Sequence, residues 1–231
     1  MPNVKRLLNR RLGFPEAAAI VVALAIVAGL GYLGYGLLAA RLLERRVRAA
    51  LPRLRAELRA QRGVLTEAVE RYRARFGVYP ADHVASRGPL VIDAVKNPLL
   101  YELEGVIDNP TNHLFLVGHL EPAEAKYVTA FFHSPGFKNC GTNESQVSHY
   151  LPPLPTTSFA ARQLHDDPDV FVLGFQVQGD DFGWDVAEQL ELSSWRYVSS
   201  APTNNPGRFD LWIDVTANGQ TFSVGNWKSV E

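Results

Sequence analysis

Three side chains able to ligate a soft metal, His133, Cys140 and His149, fall in one stretch of the chain. A zinc site draws imidazole nitrogens and thiolates into a compact set of four ligands, and this trio has neither a fourth partner nor a regular spacing. Scattered surface or hydrogen-bonded histidines are the better reading. Asp166, Asp167 and Asp169, then Asp180, Asp181 and Asp185, supply the oxygen chemistry that a hard cation such as calcium requires. Their spacing is not that of an EF-hand, and clustered acids are most often solvated loops, so no metal ligand is assigned. Cys140 is the only cysteine, which rules out an intrachain disulfide and suits a small apolar role better than a nucleophilic one. There is no Gly-x-Ser-x-Gly elbow and no glycine-rich phosphate loop. The expectation is a protein with no catalytic residues, no cofactor and no enzymatic activity of its own.

The elements around these residues say more. Ala17 to Ala40, 24 residues, carry no charged side chain. At about 1.5 Å per residue a helix of that length reaches about 36 Å, enough to cross the ~30 Å hydrocarbon core of a bilayer. A signal peptide has a shorter apolar region, and a core helix rarely needs so long an uncharged run. Lys5, Arg6, Arg10 and Arg11 precede the span and favour a cytoplasmic N-terminus. Within the span, Ala25 with Gly29 and Gly36 with Ala40 form small-xxx-small pairs that permit close helix approach, although membrane helices are rich in such residues in any case.

After the span, Leu43, Val47, Leu51, Leu54, Leu58, Leu65, Val69, Tyr72 and Phe76 recur at helical spacing. Arg45, Arg48, Arg55, Arg59, Arg62 and Arg73 lie between them, so the opposite surface is basic. A basic helix can also be a nucleic-acid or membrane-surface element. Continuity with the span favours a stalk, kinked near Pro52 and ending near Phe76-Gly77. Residues 1 to 75 hold 15 Lys+Arg and 5 Glu, a net of +10, against 8 Lys+Arg and 19 Asp+Glu, a net of −11, in residues 76 to 231. That division suits a stalk beside headgroups or neighbouring subunits and a soluble head, though plain solvation of a charged helix accounts for it as well.

In the remainder, His113 to Leu120 and Val170 to Val177 read as strands, Pro122 to Phe132 as a short helix or a strand, helix being the better reading, and Tyr150 to Ser158 as loop. Phe209, Leu211, Ile213 and Val215 alternate with polar partners, and Asn218-Gly219 then precedes Thr221 to Val224. Alternation followed by Asn-Gly predicts a hairpin with a type I′ turn.

The order of a basic leader ending in Gly13-Phe14, an apolar span, an amphipathic continuation, Ala68-x3-Tyr72-x3-Phe76-Gly77-x-Tyr79-Pro80 and the terminal FDLWIDVTANGQTFSVGNW resembles the type IV pilin-like proteins, nearest to the major pseudopilins of type II secretion. The match is carried by residues 12 to 80 and about 195 to 227, and residues 81 to 194 are longer than the usual pseudopilin middle. Within that middle, Asn97 to Leu103 and Phe131 to Cys140 look similar to uncharacterised pilin-like sequences. The resemblance implies cleavage by a prepilin peptidase between Gly13 and Phe14, and methylation of Phe14 as the mature first residue. It also implies packing of the stalk in a filament core. The family has a glutamate at the fifth mature position, facing a neighbour's N-terminal amine. Here Ala18 holds that position, Pro15 the second and Glu16 the third, so either Glu16 is the assembly acid or assembly proceeds differently. Major pseudopilins also resemble this chain in an acidic loop that binds calcium, but none of the aspartates above aligns with its ligands.

The expected architecture is therefore α+β. It comprises a leader (residues 1–13), a transmembrane helix (14–40), a stalk helix (41–79) and an enlarged head (80–231) whose C-terminal antiparallel sheet packs on the helix. The expected function is a structural subunit of a type II secretion pseudopilus or pilus-like filament, placed single-pass in a bacterial inner membrane with a periplasmic head. Its partners would be membrane lipid, like subunits, the prepilin peptidase and the assembly machinery, and not nucleic acid. The alternative is an anchored extracytoplasmic binding or scaffold domain that does not polymerise.

Overall fold

Sixty-three residues, Phe14–Phe76, form one helix, α1, that runs through Pro52 and Gly63 without a break in its assignment. The computed structural model describes residues 14–82, 93–134, 136–153, 159–164, 167–175, 186 and 190–227. Two compact units divide between Arg46 and Val47. The second has its own core, to which α1 contributes Val47, Leu54, Leu58, Leu65, Ala68, Val69 and Tyr72, all fully buried. These positions repeat at three, four or seven, the interval that returns a helix to the same face. At the end of this face the Gly77 amide donates to the Arg73 carbonyl (2.8 Å), and the chain leaves the helix.

The rest of the second unit is α+β. A short helix α2 (Leu99–Glu104) leads into β1 (Val106–Asn109), which pairs antiparallel with β2 (Leu114–Leu116). β2 pairs with the two-residue β3 (Ala123–Glu124), which runs into α3 (Ala125–Phe131). On its other edge β1 lies parallel to β4 (Cys140–Gly141). The helix expected from Pro122 thus starts three residues later, after a strand pairing takes Ala123 and Glu124. The strand expected over His113 to Leu120 is confined to Leu114–Leu116, because His113 turns to a positive φ (55°) and Gly118 begins a turn.

β5 (Phe159–Leu164) and β6 (Asp167–Phe175) form an antiparallel pair. The last sheet orders β10 (Gln220–Gly225), β9 (Asp210–Ala217) and β7 (Leu190–Leu192), with β8 (Arg196–Val198) pairing the N-terminal part of β9. Leu211, Ile213 and Val215 are fully buried and alternate with half-exposed neighbours, as a sheet with one covered face requires. Asn218 and Gly219 have φ of 50° and 72°, the two positive values of a type I′ turn, and Ala217 pairs with Gln220 across it. The stalk helix meets this sheet at β10: Arg62 Nη1 donates to the Gly225 carbonyl (2.7 Å), and the Arg55 guanidinium lies 4.3 Å from the Phe222 ring centre. Arg208, just before β9, pairs with Glu70 of α1.

Buried carboxylates join these layers. Glu102 of α2 is 2% exposed; its Oε2 accepts from Tyr72 Oη of α1 (2.8 Å) and the Asn139 amide (3.1 Å), and its Oε1 from the Lys138 amide (3.2 Å). Asn139 extends the network by donating to the carbonyls of Glu102 and Ser148. Asp82 accepts from the amides of Ser199 and Ser200. Asp210 accepts from the amides of Thr203, Asn204 and Asn205. Between them the two aspartates hold the start and the middle of the loop that precedes β9.

Candidate membrane and assembly helix

The first unit is defined by what its helix leaves uncovered. Twelve large apolar side chains between Val21 and Leu42 are at least half exposed, Tyr32 at 80%. An 18-residue window near the N-terminus has a mean hydropathy of 2.1 and no buried residue. A core helix would have this surface covered; here it is open along its length. Covering an aliphatic side chain is worth about 1.5–3 kcal/mol, so the ten aliphatic members of this set amount to ~20 kcal/mol that water leaves unclaimed. One helix in the described residues is therefore long and apolar enough to cross a membrane.

Ala25, Gly29, Gly36 and Ala40 are all exposed on this helix, and a Cβ built on Gly29 or Gly36 meets nothing within 4 Å. At 3.6 residues per turn the four fall within an arc of about 60°. Tyr32 and Leu33 lie about 20° beyond the two edges of that arc, so the strip of four small residues is flanked midway by larger side chains. Phe14 and Glu16 open α1, and their side chains are outside the described residues, as is Gly13.

The candidate ligands separate. Asp166, Asp180, Asp181 and Asp185 lie outside the described residues, while Asp167 and Asp169 belong to β6 with side chains that are not described. His133 stands in the turn after α3 (φ 50°) and Cys140 in β4, half-buried, its thiol pushed up chiefly by burial. His149 is instead held by two carboxylates, Nε2 at 2.6 Å from Glu144 Oε1 and Nδ1 at 3.7 Å from Glu104 Oε2. Among the described residues no three His, Cys, Asp or Glu side chains converge as metal ligands do. No family model, curated protein or solved structure matches the chain significantly.

Sequence reasoning did not find Glu102, Glu104 or Asp210, three acids buried in the head. Glu102 and Glu104 fall in an apolar run, Leu99 to Val106, and an acid flanked by Leu and Tyr was the available signal.

Proposed function

We propose that this protein is a structural subunit of a pseudopilus or pilus-like filament, held in a membrane by the Val21–Leu42 part of α1 before assembly. The supporting observation is an open apolar helix surface in a helix that goes on to supply the core of an α+β head ending in an antiparallel sheet. That order of parts is the one that resembles the pilin-like proteins. A bilayer covers the apolar surface before assembly, and like helices cover it afterwards, with Ala25, Gly29, Gly36 and Ala40 allowing close approach. In this reading the leader is cytoplasmic, is removed between Gly13 and Phe14 by a prepilin peptidase, and the head is periplasmic. Glu16, in the first turn of the mature helix, is the acid available to a neighbour's N-terminal amine.

A second reading, a permanently anchored head that does not polymerise, is favoured by Ala18 and Pro15 at positions where the family has other residues. Cysteines placed singly at Ala25, Gly29, Gly36 or Ala40 in a Cys140→Ala background, oxidised in intact membranes, separate the two. Facing cysteines link a filament subunit in pairs through at least one of these positions. Monomer at all four is the result of a lone anchor.

A further inference from the structure

A cavity of about 630 Å³ opens in the head. Ile107, Leu116, Leu120, Leu151 and Phe159 provide most of its apolar wall, while Glu104, Glu144, His149 and His119 gather on its lining as the polar groups. The volume lies in the range of small-molecule sites, about 300–1,000 Å³, and so does the balance of apolar wall and few polar groups.

The polar groups are one donor set short. Glu104 is 7% exposed, and its Oε1 is buried with no hydrogen-bond partner. Its Oε2 faces His149 Nδ1 at 3.7 Å, too long for a good hydrogen bond. His149 spends its other nitrogen on Glu144 at 2.6 Å, so Nε2 carries the proton of that bond. A neutral His149 then presents a bare lone pair to Glu104, and an imidazolium offers one proton to a carboxylate that needs more. With both carboxylates ionised the cluster carries −2 or −1, and a buried carboxylate oxygen left without a donor is destabilising.

We infer that this cavity binds a small molecule that carries a protonated amine on an apolar body. The ammonium supplies a donor at Glu104 Oε2 and the missing positive charge beside the buried carboxylate, and the apolar body fills the space between Leu116, Leu151 and Phe159. A metal ion meets the charge requirement less well, because no three ligating side chains converge among the described residues and an ion leaves the apolar walls uncovered. This site is independent of the assembly helix. A head that does not polymerise would carry it equally.

The test uses the full chain in detergent micelles, 15N-labelled, titrated with 2-phenylethylamine and with its neutral near-isostere 2-phenylethanol. The amine should give saturable amide shifts at Gly105, Ile107, Leu116 and Gly118, with the alcohol and the Glu104→Gln protein binding about tenfold or more weakly. Burial holds the Glu104 carboxyl above its usual range, with His149 and His119 opposing, and bound amine should bring its titration back down. Ala161→Phe, which fills the cavity and leaves both carboxylates, should abolish the amine shifts and decides the matter if Glu104→Gln fails to fold. Equal binding of the alcohol, amine shifts that survive Ala161→Phe, no saturable shift with the amine, or the same amides responding to calcium alone would each overturn the proposal.

Discussion

Removing the Glu102 carboxylate should do more damage than removing any single core methyl group. Its two oxygens accept from Tyr72 Oη and from the amides of Lys138 and Asn139. Three donors and no acceptor face it, the surroundings of an ionised, acceptor-only carboxylate. Burial nevertheless raises its pKa, against those three hydrogen bonds and the Lys138 charge. Glu102→Ala strands a phenol and two backbone amides in a closed interior, at about 3–5 kcal/mol in all once neighbours relax. Glu102→Gln can keep an oxygen where Oε2 stands and sets its NH2 against the Lys138 amide alone, a loss of about 1–2 kcal/mol. Tyr72→Phe removes one donor and leaves the carboxylate two, costing about 1.5 kcal/mol. For a unit of this size each kcal/mol moves Tm by about 2–4 °C, so Glu102→Ala should melt about 6–20 °C below the parent and the other two within about 8 °C. Near-ultraviolet circular dichroism of the full chain in detergent reads the transition. A Glu102→Ala protein that melts within 2 °C of the parent, or above the glutamine variant, would refute the view that this carboxylate ties α1 to α2 and the Lys138-Asn139 segment.

Gly105 has φ 79° and ψ 149°, and a Cβ there would stand 2.9 Å from Val147 Cβ. Gly105→Ala should therefore lose about 2 kcal/mol or more in denaturant unfolding, and a neutral result would place the backbone elsewhere. Leu65→Ala, at a fully buried position on α1, should cost about 2–5 kcal/mol by the same measurement, whereas Val64→Ala, on the exposed side, should cost under about 0.5 kcal/mol. Glu104 is held above the ordinary carboxylate range in the folded head, so its folded form binds a proton more tightly than its unfolded form. Its contribution is thus fully present below the unfolded pKa and is lost as pH rises through the raised folded value. The stability of the parent relative to Glu104→Gln should decline from pH 4 towards neutrality in paired melts, and a constant or growing difference would contradict the burial argument.

The long helix was legible because one physical signal, apolar spacing, persists across it. Val47, Leu54, Leu58, Leu65, Val69 and Tyr72 were readable as one face, and they are buried. The terminal hairpin was legible because alternation and Asn218-Gly219 both point to one turn geometry. The middle was legible only in part: the strand expected over Val170 to Val177 falls largely within β6, but β1 to β4 run to two to four residues and are fixed by long-range partners, since β1 needs β4, more than 30 residues away, and α2 is closed by hydrogen bonds from Lys138 and Asn139. The two segments noticed for their resemblance to pilin-like sequences, Asn97 to Leu103 and Phe131 to Cys140, meet at Glu102. Nothing in either segment alone states that they touch. The partners of His149 were not legible for a related reason, because Glu104 and Glu144 reach it through the fold and through a 3-10 turn (Glu144–Gln146) with no repeating spacing.

If α1 is an assembly helix released from its leader, the native N-terminus reports this directly. Mass spectrometry of the protein isolated from cells with an active prepilin peptidase should find a chain that begins at N-methylated Phe14. A chain that retains Met1 to Gly13 in those cells contradicts the filament reading.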